Sequence, residues 1–198
     1  MKLMNRWDMT GVEVQDRGLK PYINLKPMIV PRTFGRSATQ QFHKSQYMNI
    51  VERLMTHLFV PGHKSKKHFR SSWRASGKTN TLWKVLSETF EIIEKETKKN
   101  PIEALVRAIE NSAPVEEITS FQVGGIMVRK AVVTSPQRRV DIALRLIAQS
   151  SYHKSFNNPK GIARCLADEI TAGFRNDPQS SFAVKERVRI EKEASTAR

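Results

Sequence analysis

Residues 118–139 read ITSFQVGGIMVRKAVVTSPQRR, and this stretch decides the fold. Runs rich in strand-forming residues precede and follow the pair Gly124-Gly125. Two glycines suit a two-residue hairpin turn, because both central positions of a type I′ turn require positive φ. The stretch therefore predicts a two-stranded β-ribbon over residues 118–134. An isolated ribbon is marginal in water, so we expect it to project beside helices and to pack partly on them and partly on a partner.

A helix is predicted to begin directly after the ribbon, at Pro136, with Arg138 and Arg139 in its first turn. The helix dipole and the unpaired N–H groups of a first turn favour negative charge, so two arginines are unfavourable there. No Asp or Glu occurs from Thr119 to Arg139. We therefore expect an anion from outside the chain, and a phosphate would suit both the arginines and the N–H groups. The alternative is a pair of solvated arginines on an ordinary helix.

The chain is strongly basic, with a formal net charge of +15 over 198 residues. The charge is segregated along the sequence. Residues 60–80 carry six basic and no acidic side chains, whereas residues 81–118 carry five basic and eight acidic ones. Basicity is thus concentrated in irregular segments and in the ribbon, which is the pattern of a nucleic-acid-binding protein that presents loops to phosphates.

The rest of the chain has the apolar periodicity of helices and makes the fold class mainly α. The six predicted helices begin near Ser45, at Lys78, after Asn100-Pro101, at Pro136, after Asn158-Pro159 and after Asp177-Pro178. We predict a six-helix bundle over residues 45–198, with a protruding ribbon between helices 3 and 4 and a basic loop at 60–77. Residues 1–44 lack helical period and are interpreted as an extended basic arm, ordered by a partner and containing at most a short strand near Tyr22.

Little in the sequence favours catalysis. Residues 75–79, ASGKT, resemble the end of a phosphate-binding P-loop, but Ser72 stands where that motif needs a glycine. The histidines lack metal-ligand spacing, and the single cysteine, Cys165, is interpreted as a core residue. We expect no enzyme activity, cofactor, metal or small-molecule substrate. We also expect no membrane partner, since no apolar run is long enough to span a bilayer and no signal peptide opens the chain.

Aromatic and basic residues alternate in the basic loop, where Phe69 and Trp73 lie among cations. Such a mixture lets cations meet phosphates while rings stack on bases, although the rings also suit anchoring of a long loop. The candidate RNA-binding residues come from the arm, the loop, the ribbon and the start of the fourth helix: Arg32, Arg36, Lys44, Lys64, Lys66, Lys67, Arg70, Arg74, Lys78, Arg129, Lys130, Arg138 and Arg139.

Five short motifs then identify a family. In chain order they are KETKKNP at 95–101, AIEN at 108–111, VGG at 123–125, SPQRR at 135–139 and ALR at 143–145. In this order they closely resemble the family of the seventh small-subunit ribosomal protein, over roughly residues 45–198. The N-terminal arm and the insert at 60–77 resemble the archaeal and eukaryotic branch, since bacterial members lack that insert.

The resemblance implies a six-helix fold with a ribbon between the third and fourth helices, in a cytoplasmic small ribosomal subunit. It implies binding to the 3′ major domain of small-subunit ribosomal RNA, where the family nucleates assembly of the subunit head beside neighbouring head proteins. In this family the ribbon and the C-terminal tail lie near the exit-site transfer RNA and the messenger RNA path. Besides Arg129 and Lys130, that location carries over to Gly124, Gly125, Arg189, Lys192 and Arg198.

A DNA-binding architectural or transcription protein that places the ribbon in a groove is the alternative. Such a protein usually binds duplex DNA as a symmetric dimer, and this sequence offers no dimerising seam. Its cations are scattered over at least three segments, which suits an irregular RNA fold better than a straight duplex. The mechanism we expect is electrostatic positioning with recognition of RNA shape.

Overall fold

The computed structural model describes residues 2–26, 48–64, 67–68, 70–72 and 78–197. Within these ranges the chain forms six α-helices: α1 Ile50–Leu58, α2 Thr79–Thr97, α3 Pro101–Ser112, α4 Pro136–Ser155, α5 Ile162–Phe174 and α6 Phe182–Thr196. The described strands form three antiparallel pairs: β1 Lys2–Leu3 with β2 Trp7–Asp8, β3 His63–Lys64 with β4 Lys67–His68, and β5 Glu116–Val123 with β6 Ile126–Val133. The long β5–β6 ribbon lies between α3 and α4, so the predicted fold class is confirmed.

Helix α5 lies at the centre of the bundle and packs against α2, α3 and α4. Its inward residues, including Leu166 and Ile170, are fully buried. The crossing with α3 is close, because a Cβ at Gly173 would lie 3.1 Å from the Cβ of Ala108. Small side chains therefore let α3 and α5 approach, and the bundle forms around this contact. Among the described residues, no helix is both long and apolar enough to span a membrane.

The first 26 residues differ from the extended arm that the sequence suggested. Leu3, Trp7 and Leu19 are buried in the same core as the helices. The ring of Trp7 meets Phe90 of α2 edge-on, with 5.5 Å between centroids. Each such side chain stabilises the fold by about 1.5–3 kcal/mol, so a few of them suffice to dock a segment that has no core of its own. A 3₁₀ helix forms at Lys20–Tyr22 in place of the short strand, and residues 27–44 lie outside the described ranges.

Capping side chains fix where the helices begin. The side chain of Asn100 accepts a hydrogen bond from the N–H of Ile102, with proline in the first turn, as predicted for α3. A reciprocal capping box occurs at α1 instead, between Asn49 and Glu52. Because Asn49 is the N-cap of α1, that helix begins at residue 50 and later than the sequence suggested.

Helices α5 and α6 also begin later than the Asn-Pro and Asp-Pro pairs predicted. The side chain of Asn158 accepts a hydrogen bond from the N–H of Lys160. The side chain of Asp177 likewise accepts a hydrogen bond from the N–H of Gln179. These Asx turns satisfy the backbone in a non-helical conformation, so the pairs form loops that precede the helices.

The β5–β6 ribbon is paired over its whole length, from Glu116 opposite Val133 to Val123 opposite Ile126. The turn glycines have φ values of +56° and +87°, as a type I′ turn requires. The base of the ribbon packs on α6, where Glu191 accepts a hydrogen bond from the N–H of Val115 at 3.0 Å. Residues 119–130 are all exposed, so the ribbon is anchored at its base and projects at its tip.

Candidate nucleic-acid interface

Arg138 lies at the base of the ribbon and meets Glu117 of β5. Its Nε donates to Oε1 of Glu117 at 2.6 Å and its Nη2 donates to Oε2 at 2.8 Å, which makes a bidentate pair. These hydrogen bonds raise the pKa of the Arg138 guanidinium. The Arg138 side chain is 54% exposed, so the pair lies at the surface and contributes only about 0–1 kcal/mol.

Arg139 points instead toward the N-terminal segment. Its Nη2 donates to Oδ2 of Asp16 at 2.9 Å, and its side chain is only 12% exposed. Glu110 of α3 holds the same segment by accepting hydrogen bonds from the N–H groups of Gln15 and Asp16. The premise that only an outside anion can offset the two first-turn arginines is therefore wrong, because Asp16 and Glu117 of the same chain do so.

Arg145 is a cation that sequence reasoning missed. It follows Arg138 by two helical turns, so the two residues share one face of α4 about 10 Å apart along the axis. The nearest acids are engaged elsewhere, since Asp141 pairs with Arg53 and Glu117 pairs with Arg138. No carboxylate of the described residues forms an ion pair with Arg145, and the remaining residues include no Asp or Glu.

The surroundings of Arg145 disfavour its charge. One side of the residue is exposed, yet the packed protein on the other side removes enough water to lower the pKa of its guanidinium. The neighbouring charge of Arg138 lowers that pKa further. A bound anion would offset the lowered pKa, because its opposite charge stabilises the charged form of the guanidinium. The spacing of Arg138 and Arg145 along the helix was the sequence signal for this pair.

A groove of about 620 Å³ runs between α4, α6 and the base of the ribbon, and we call it the ribbon-base groove. Two carboxylates line it, from Glu117 and Glu186. Five cations line it as well: Arg70, Arg138, Arg145, Lys154 and Arg189. The excess of cations makes the groove a favourable place for an anion.

The ribbon itself carries Arg129 and Lys130 well away from the bundle. Arg129 lies opposite Ser120 and Lys130 lies opposite Thr119, and both cations are exposed. Because successive residues of a strand point to opposite faces, the ribbon presents one cation on each face. At the tip, a Cβ built on either Gly124 or Gly125 would have no atom within 4 Å, so the turn is open to close approach.

The described part of the basic loop is attached to the C-terminal end of α4. Nη1 of Arg70 donates to the carbonyl of His153 at 3.0 Å, and its guanidinium lies 4.5 Å from the centroid of the Phe156 ring. Lys67 and Lys78 are exposed. The other candidate cations lie outside the described residues, as does the side chain of Lys64: Arg32, Arg36, Lys44, Lys66, Arg74 and Arg198.

Comparison with known proteins identifies the family. The profile described as ribosomal protein S7p/S5e matches residues 19–198. The small ribosomal subunit protein uS7 of Nanoarchaeum equitans is 46% identical over 198 residues, which cover 100% of this chain and 99% of the relative. The proteins of the same name from Methanothrix thermoacetophila and Methanococcus aeolicus are 44% and 43% identical over 198 residues, covering 100% of this chain and 100% and 99% of the relatives.

The chain belongs to the ribosomal protein S7p/S5e family. The resemblance found in the sequence is thereby confirmed, including its archaeal branch. An S7p/S5e protein is a structural component of the small ribosomal subunit and not an enzyme, which decides against both the DNA-binding and the nucleotide-hydrolysing alternatives. Consistent with that, burial raises the pKa of the Cys165 thiol, which makes it a poor nucleophile.

The C-terminal helix of this S7p/S5e chain places Arg189 and Lys192, two of the predicted tail residues, on its outer surface. Lys192 is exposed. Arg189 donates to Glu186 and Glu193 of the same helix, and the first of these bonds is the main cause of its raised pKa. Arg189 also lines the ribbon-base groove. Arg189 therefore faces the same groove as Arg138, a proximity that the sequence did not predict.

Sequence reasoning also missed the buried Glu169, which organises this part of the S7p/S5e fold. Its carboxylate is fully buried and accepts hydrogen bonds from Lys154 and Ser150 of α4. It also accepts from Ser181 and from the N–H of Ala183, at the start of α6. One acid thus fixes α4, α5 and α6 relative to one another, and with them two walls of the groove.

Proposed function

We propose that this chain binds the 3′ major domain of small-subunit ribosomal RNA through the ribbon-base groove and the ribbon, and so nucleates assembly of the subunit head. Membership in a small-subunit ribosomal family supports ribosomal RNA as the ligand. The residue whose surroundings most support the groove as the place of RNA binding is Arg145. It is a partly desolvated cation without an ionic partner among the described residues, beside Arg138 in a groove with excess positive charge.

Binding proceeds by electrostatic positioning. A phosphate between Arg138 and Arg145 accepts charge-assisted hydrogen bonds from both guanidinium groups. The exposed pair of Arg138 with Glu117 is weak, so it yields to the phosphate at small cost. Arg139 acts differently, because its partly buried pair with Asp16 holds the start of α4 in place. We therefore assign phosphate contact to Arg138 and Arg145, and a positioning role to Arg139.

The ribbon extends this surface outward. Its exposed cations, Arg129 and Lys130, point to opposite faces and so meet RNA on two sides. The tip at Gly124-Gly125 lies near the exit-site transfer RNA and the messenger RNA, together with the tail residues Arg189, Lys192 and Arg198. The openness of the turn supports this assignment, since an RNA backbone can approach two glycines without meeting a side chain.

A binding titration with the 3′ major domain of the small-subunit ribosomal RNA tests the proposal. Replacing Arg138 and Arg145 together with Ala removes two phosphate contacts. We expect the affinity to fall about 10-fold to 100-fold near 0.15 M salt and the slope of log K against log salt to shrink by about two. The matched control replaces Lys84 and Lys95, which are exposed on α2, with Ala and so removes the same charge.

Two outcomes would count against the proposal. If the arginine variant binds like the lysine control, the groove does not contact the RNA. If duplex DNA of equal length competes as well as unlabelled RNA does, the interface recognises charge alone and the ribosomal RNA assignment loses its support.

A further inference from the structure

We infer that the ribbon-base groove binds one unstacked nucleotide of the RNA, with its base held between Leu146 and Ile190 and its edge contacted by the amide of Gln149. The inference rests on the proposed RNA binding and adds a subsite to it. Phosphate contacts alone position a protein on RNA, whereas a base inserted into a pocket selects an unpaired position. The groove has the composition that such a subsite needs.

Gln149 supplies the polar group that such a subsite needs. It lines the groove and is only 7% exposed. Within the described part of the chain, its side-chain amide makes no hydrogen bond. Its polar neighbours are engaged, since Ser150 donates to Glu169 and Nε2 of His153 lies 3.2 Å from the carbonyl oxygen of His63. The residue is buried while its amide reaches the surface of the groove, where it offers a donor and an acceptor side by side that match the edge of a nucleobase.

Apolar side chains from two helices line the walls of the groove. Ile142 and Leu146 line it from α4, and Phe182 and Ile190 line it from α6. A base in the groove therefore meets apolar side chains of two different helices, against which a flat ring can pack. The volume of about 620 Å³ lies within the range of about 300–1,000 Å³ typical of small-molecule sites, so one nucleotide fits.

The charges at the groove distinguish a nucleotide from other occupants. Arg138, Arg145 and Arg189 line it together with the apolar walls, so a phosphate and a base are both accommodated. A duplex backbone needs cations but has no use for the apolar walls or for the Gln149 amide. An acidic protein segment would suit the cations, but its carboxylates have no use for the apolar walls. The combination favours a single unpaired nucleotide.

Chemical probing of the complex tests the inference. The full chain is bound to the 3′ major domain of the small-subunit ribosomal RNA and treated with dimethyl sulfate and a water-soluble carbodiimide, which together probe the pairing edges of all four bases. We expect the wild-type chain to protect an unpaired base that becomes reactive with Gln149→Leu. The affinity of that variant should fall about tenfold, the loss expected from one base-edge contact.

Two further variants make the result decisive. Gln179→Leu changes an exposed glutamine in the loop before α6 and should behave like the wild type in both assays. Gln149→Met keeps the length of the side chain without adding a charge and loses both its donor and its acceptor, so it replaces Gln149→Leu if circular dichroism shows that variant to be unfolded. Wild-type protection and affinity in a folded Gln149 variant overturn the inference. In that case the Arg138/Arg145 titration still decides the proposed function separately.

Discussion

Replacing Glu117 with Gln should strengthen RNA binding, which is the opposite of what loss of a native contact usually does. Glu117 occupies one edge of the Arg138 guanidinium in the free protein, where it accepts from Nε and Nη2. An exposed pair of this kind contributes about 0.2–1 kcal/mol, and a phosphate that takes the same edge must displace it. A carboxylate about 6 Å from a phosphate also repels it by about 0.7 kcal/mol in water before screening. Together these effects come to about 1 kcal/mol, or about fivefold in affinity.

The assay is a titration of labelled ribosomal RNA with Glu117→Gln, Glu116→Gln and the wild-type chain near 0.15 M salt. Glu116 is the neighbouring residue in β5, and its side chain points to the opposite face of the ribbon. Both variants remove one negative charge, so any excess gain with Glu117→Gln comes from freeing Arg138. If Glu117→Gln weakens binding as much as Arg138→Ala does, Glu117 orients the arginine and the exchange mechanism is refuted.

Three further predictions concern the scaffold. Glu169→Ala leaves several buried donors and the Lys154 charge without their acceptor, so the free energy of unfolding in urea should fall by about 3–5 kcal/mol; a loss below 1 kcal/mol contradicts the role we give it. A double-mutant cycle on Asp16 and Arg139, measured by thermal unfolding, should give a coupling of about 0.5–3 kcal/mol, and additive effects would show that the pair does not hold the N-terminal segment. Cys165 should react with iodoacetamide far more slowly in the folded chain than in urea, since burial raises its pKa, and equal rates would show that the thiol is accessible.

The features that the sequence predicted well depend on local signals. Asn100 followed by Pro101 specifies a helix start through a side-chain acceptor and a preset φ, and α3 begins there. The Gly124-Gly125 pair specifies the ribbon turn because few other residues tolerate positive φ at both positions. Neither signal needs information about distant parts of the chain, so both hold in the folded protein.

The features that the sequence did not predict depend on contacts between distant residues. Asp16 and Arg139 are 123 positions apart, and nothing near either one indicates the other. Leu3 and Trp7 belong to a segment too poor in apolar residues to fold alone. They are core residues only because they pack on the assembled helices. The significance of Arg145 likewise appears only when Asp141 and Glu117 are seen to pair with other arginines.

The most direct test of the central claim is a cryo-electron microscopy structure of small ribosomal subunits that contain this chain. The claim is that Arg145 in the ribbon-base groove meets an RNA phosphate. We predict a phosphate oxygen within about 3 Å of the Arg145 guanidinium, with Arg138 turned from Glu117 toward the same phosphate. A structure in which Arg145 faces solvent or another protein, with no ribose-phosphate chain in reach, would contradict the account.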